Sequence, residues 1–131
     1  MKIEAKSGLS HTLTRVVRDE DSAARYGSGL LPVFATPAMV GLMEAAANEA
    51  IQPYLPEGFI TLGTEINVKH LKATPVGWPV ECTATLETIE DRKLTFRIIA
   101  RDPDGMIGEA THQRFVVNAE RFMEKLNKGI A

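Results

Sequence analysis

An α+β fold is predicted for this chain: one long helix set against a strongly curved antiparallel sheet of about five strands. Three observations lead there. Residues 33–50, VFATPAMVGLMEAAANEA, carry apolar side chains at helical spacing, and further on the hydrophobic period changes from 3.6 to two and stays there for four segments. Tight-turn sequences, EDRK and DPDG, join neighbouring segments as antiparallel hairpins.

The chain has 131 residues, which suits one domain with one sizeable core over 1–131. Its charged fraction of 24% and net charge of -2 leave no electrostatic footprint for nucleic acid or an anionic membrane, so an anionic ligand must be met by local groups. The opening MKIEAKSGLS lacks the apolar run of a secretory leader, and no 18 apolar residues follow one another, so a cytoplasmic protein is expected. Cys82 is the one cysteine and cannot make an internal disulfide, in keeping with a reducing compartment. On the apolar phase of a strand, it reads as a small buried hydrophobe.

The first strand is expected at SHTLTRVV. Residues 19–35, DEDSAARYGSGLLPVFA, read as an ordered loop or short helical turn that can move. The long helix then starts with Thr36 as N-cap and Pro37 at the first helical position, and Gln52-Pro53 stops it. Met39, Val40, Leu42, Met43, Ala46, Ala47, Ala50 and Ile51 spread around nearly every face, which predicts an enclosed helix.

In FITLGTEINVKHLKATPVG, Ile60, Leu62, Ile66 and Val68 are expected on one face, with Glu65, Asn67 and Lys69 on the other. Val80, Cys82, Ala84 and Leu86 line the next strand, and Leu94, Phe96, Ile98 and Ala100 the one after. A last strand, MIGEATHQRFVVN, leads into an amphipathic helix around AERFMEKLNKG. An open sheet of this size has long edges that are usually managed by pairing, so a homodimer is expected.

Three polar residues stand out from this core. Thr36 alone would need no role beyond capping, and a histidine on an apolar face is more often a satisfied core residue than a catalyst. Yet His70 shares the phase of Ile66 and Val68, and Glu44 lies amid a helix where an unpaired carboxylate is expensive to desolvate. Thr36, Val40, Glu44 and Asn48 recur at spacings of four and form one stripe, which an imidazole from the sheet could reach. Hydroxyl, carboxylate and imidazole are the parts of a nucleophile, a base and its orienting group, and a helix N-terminus favours a developing oxyanion.

With these residues in place, the chain resembles the hotdog-fold thioesterases related to fluoroacetyl-CoA thioesterase. The strings that carry the resemblance are VFATPAMVGLMEAA, LGTEINVKHLKATPVG and IGEATHQRFVV, between about Val33 and Val117. It implies a helix wrapped by an antiparallel sheet, a dimer with active sites at the interface, and an acyl-CoA substrate with no separate cofactor. The family's catalytic threonine, glutamate and histidine carry over onto Thr36, Glu44 and His70. Its glycine beside the acyl group carries over onto Gly63, and its arginine near the site onto Arg114. Where the fluoroacetyl enzyme has a phenylalanine-containing lid, RYGSGLLPVF has Gly27 and Leu30, which points to another short acyl group, with Tyr26, Leu30 and Phe34 as lid or pocket residues.

The reaction expected is hydrolysis of a short or substituted acyl-CoA. His70 would be the base, and Thr36, Glu44 or a water the nucleophile, with Asn48 alongside and amides near Ala38 and Met39 at the oxyanion. The alternatives are a non-catalytic acyl-CoA or small-ligand binding module and, less favoured for want of a D-x-N-x-x-H string, an acyl-CoA hydratase. No metal is expected, because His11, His70 and His112 lie apart from any ligand cluster. Lys69, Lys72 and Arg114 are candidate partners for CoA phosphates.

Overall fold

The computed structural model describes residues 1–130. Strand β1 (Ser10–Val16) lies at one edge of a five-stranded sheet beside β3 (Pro79–Glu90), followed by β4 (Lys93–Asp102), β5 (Gly105–Asn118) and, at the other edge, β2 (Phe59–His70). All four pairings are antiparallel. The two predicted hairpins join β3 to β4 and β4 to β5; Asp91 (φ 60°) and Gly105 (φ 127°) take the left-handed backbone that their turns demand. The segment before the long helix holds a 3-10 turn (Asp19–Asp21) and the short helix α1 (Ala23–Tyr26).

Helix α2 (Thr36–Ile51) packs over β3, β1 and β4. Ala38, Met39, Leu42, Met43, Ala46, Ala47, Ala50 and Ile51 face the buried rows Val80, Cys82, Ala84, Leu86 and Leu94, Phe96, Ile98, Ala100. Each of the larger side chains contributes about 1.5–3 kcal/mol through burial. The thiol of Cys82 is pushed up to about 12 by burial, as befits an inert core residue. Helix α3 (Ala119–Ile130) continues from β5.

Three expectations need correction. The long helix is not enclosed, because Thr36, Pro37, Gly41 and Glu49 are exposed and Val40, Glu44, Ala45 and Asn48 are half-buried. Of the eight apolar residues that suggested enclosure, seven are buried and Val40 is half-buried, while the open face is made of the residues between them. Secondly, Ala35 and not Thr36 is the N-cap; Thr36 is the first helical residue and makes no capping bond. Thirdly, the β2–β5 register shifts between Gly63 and Glu65. Before this bulge Phe59, Thr61 and Gly63 pair with the inward row of β5, and after it Ile66, Val68 and His70 do. Ile60 and Leu62 therefore turn to the outer face, because one extra residue inverts the alternation.

Candidate active site

The half-buried stripe of α2 meets the inner face of the sheet in two polar clusters. In the first, Thr36 Oγ1 lies 2.8 Å from Nδ1 of His70. Thr36 is held at the start of α2, where the Met39 N–H is taken by the Ala35 carbonyl, while no acceptor meets the Ala38 N–H among the described residues. Of the two amides expected at an oxyanion, the one at Ala38 is thus the free donor. His70 ends β2, and its Nε2 is buried without a hydrogen-bond partner among the described residues. Phe34, itself buried, meets the imidazole edge-on at 6.5 Å between ring centres. Thr36, His70 and Phe34 share a pocket of about 350 Å³ with Ala23, Ser28, Val33, Leu71, Lys72 and Ala73.

In the second, Glu44 Oε2 faces Nη1 of Arg114 at 3.7 Å. Arg114 is held on every side: Nε donates to Thr61 Oγ1 at 2.8 Å, and Nη2 donates to the Thr61 carbonyl at 3.1 Å and to Asn48 Oδ1 at 3.5 Å. Nη1 stands 3.2 Å from Nε2 of His112, whose Nδ1 lies 2.7 Å from the Glu65 carbonyl. Gly63 is the floor of this cluster. A Cβ there would come within 2.6 Å of Glu44 Oε2 and 3.3 Å of Arg114 Nη1, so a side chain would displace the pair.

Within one chain the two clusters stay apart. Thr36 and Glu44 are eight residues from each other along α2, a rise of roughly 12 Å. Glu44 makes its ion pair with Arg114 and none with His70 among the described residues. The stripe was readable from the spacing of four, but not which half of it each sheet residue meets.

Burial sets the electrostatics. It lowers the pKa of His70 below the ordinary 6.5, against a weaker opposite pull from the Lys72 backbone. His112 is lowered too, by burial first, with the Glu65 carbonyl opposing and the Arg114 charge adding to the fall. Both rings are therefore favoured in the neutral form, the one able to accept a proton.

Other expected residues are distributed unevenly. Leu30 is 95% exposed and is not part of the pocket wall. Tyr26 is also exposed. Lys72 is no free surface cation: Nζ lies 2.8 Å from Asp102, a carboxylate that Thr74 also bonds, and 3.7 Å from Asp104. Thr61 and His112 escaped the sequence reading. Thr61 was hidden by the bulge, whereas His112 sits two residues before Arg114 on one strand, a spacing that puts both on the same face.

A long helix in a curved sheet of this kind defines the hotdog class. A hot-dog-like protein from Thermanaerovibrio acidaminovorans shares the fold with a TM-score of 0.88 over 95% of this chain and 93% of that one, at 23% identity. The likeness narrows with closer relatives. The family described as fluoroacetyl-CoA-specific thioesterase matches residues 17–120. The fluoroacetyl-CoA thioesterase of Streptantibioticus cattleyicolor is 47% identical over 96 residues, 73% of this chain and 69% of that protein. A threonine-to-serine mutant of a fluoroacetyl-CoA enzyme, solved in complex with acetyl-CoA, superposes with a TM-score of 0.90 and 37% identity over 97% of this chain and 100% of that one. The chain belongs to the fluoroacetyl-CoA-specific thioesterase family and is a thioester hydrolase.

Proposed function

We propose that this chain, folded as one hotdog domain, hydrolyses the thioester of a short or substituted acyl-CoA in sites assembled between two copies. The observation that carries the reading is the Thr36–His70 pair at 2.8 Å, opening on a pocket of about 350 Å³. Water adds across the C–S bond, leaving the free acid and the CoA thiol. A neutral His70 takes the proton of the attacking hydroxyl, and the Ala38 amide at the start of α2 receives the oxyanion. Thr36 donates to Nδ1 when its own oxygen attacks; when water attacks, the water gives a proton to the Thr36 hydroxyl as that hydroxyl gives its own to Nδ1.

The homodimer supplies what one chain keeps apart. β2 is an edge strand, and two copies of it pairing antiparallel place the end of one beside the start of the other. A pairing centred between Ile66 and Asn67 sets Gly63 opposite the partner subunit's His70. Glu44, Gly63, Asn48 and Arg114 then meet the Thr36–His70 end of the other copy, with Glu44 stabilising the imidazolium and Arg114 at the acyl end. The exposed Leu30 and the absence of a phenylalanine beside it support an acyl group other than fluoroacetyl.

The test is a thiol-release assay with acetyl, substituted-acetyl, branched and aromatic CoA esters. His70→Ala should lower turnover by roughly a hundredfold or more on the best ester, the usual weight of a general base. Full activity of both His70→Ala and Glu44→Ala on every cleaved ester would overturn the assignment.

A further inference from the structure

His112 is 1% exposed, and both ring nitrogens are engaged. The Glu65 carbonyl can only accept, so Nδ1 carries the hydrogen and donates it across 2.7 Å. A guanidinium can only donate, so Nε2 presents its lone pair to Arg114 Nη1 at 3.2 Å. These two neighbours specify one neutral tautomer.

Four elements surround the ring. Arg114 faces it from β5, Glu44 from α2 and the Glu65 carbonyl from β2, while the Phe96 ring on β4 lies 6.4 Å away. Thr61 and Asn48 already fix Nε and Nη2 of Arg114. Nη1, the nitrogen that faces Glu44 and packs over Gly63, has His112 as its acceptor.

We infer that His112 is a positioning residue of the thioester site: its Nε2 lone pair holds Nη1 of Arg114 against Glu44, over the backbone of Gly63. The inference rests on the reading that the Glu44–Arg114 cluster is part of that site. Protonating the ring would set one N–H against another and turn Nη1 away. Burial, which disfavours the charged ring, works in the same direction.

The experiment combines histidine ring ¹⁵N NMR on the unaltered protein with kcat/KM for the best-cleaved ester in variants. His112 should show the Nδ1–H neutral tautomer across the neutral range. His112→Leu should lower kcat/KM about tenfold, the scale of an orphaned buried donor, and His112→Gln, whose amide oxygen can accept, should recover most of it. In an Arg114→Ala background His112→Leu should cost less than twofold, because the group it aims is gone. An Nε2–H or charged ring, a glutamine no better than leucine, or an undiminished loss without Arg114 would overturn the proposal. Should His112→Leu fail to fold, the tautomer decides. Failure of the site reading itself looks different: His70→Ala and Glu44→Ala would keep full thiol release whatever the state of His112.

Discussion

Glu44 directs its carboxylate to Arg114, 3.7 Å away, and the two partners are unequally exposed: 41% of the glutamate side chain is accessible against 8% of the arginine side chain. Losing either end of the pair therefore has different consequences. The carboxylate has water in reserve, whereas the guanidinium is the donor on which Thr61, Asn48 and His112 depend.

Glu44→Gln should change stability by less than about 1 kcal/mol, the range of a partly solvated ion pair, while turnover falls strongly. Arg114→Ala should cost about 2 kcal/mol or more, since it strands buried acceptors. Urea midpoints and thiol-release rates on the same two proteins check this. Equal destabilisation by both would contradict the asymmetry.

Thr36→Val keeps the shape of the side chain and removes the hydroxyl that bonds His70. The exposed position and the lack of a capping bond leave the helix unaffected. Turnover should fall by about a hundredfold, whereas Thr36→Ser should retain most of it, because general-base chemistry needs the oxygen and not the methyl. A fully active valine variant would remove Thr36 from the mechanism.

The pH dependence follows from His70 and His112, both lowered below 6.5 in the folded protein. Between the folded values and 6.5 the unfolded chain binds more protons, so stability rises with pH. This contribution is fully present above 6.5 and is lost as pH falls through the folded values. The acid limb of kcat/KM should likewise lie below 6.5, as the base must be neutral. A limb centred above that value would contradict burial as the dominant influence on His70.

Mixing tests where the site is built. If the site is built between two copies as proposed, Glu44→Ala and His70→Ala proteins, each inactive alone, should regain about a quarter of the unaltered activity after joint refolding, because half of such dimers would be mixed and one of their two sites intact under two-fold symmetry. Sites contained within single chains would each still carry one lesion, and the mixture would stay inactive.

Much of the fold was legible residue by residue. The rows Val80, Cys82, Ala84, Leu86 and Leu94, Phe96, Ile98, Ala100 are buried as their alternation predicts, and both hairpins fall at the expected turns. The reading failed where a local pattern has two outcomes. Ile60 and Leu62 kept perfect alternation with Ile66 and Val68, but a bulge reverses the phase between them. The sequence carries Gly63-Thr64 as a weak hint of that bulge and nothing that compels it.

By itself, then, the sequence determined the elements, their order and the residue types from which a thioesterase site is made, because periodicity, turn chemistry and a stripe of polar residues are properties of neighbours along the chain. The tertiary structure decided the pairings: Thr36 with His70, Glu44 with Arg114, and His112 behind them. Those depend on strand register and on which half of α2 each inward side chain of the sheet reaches, and contacts between residues distant in sequence are settled only when the sheet closes around the helix. Glu44, a charge that the helix alone could not explain, belongs to the cluster at Gly63 because the bulge beside that glycine turns it inward.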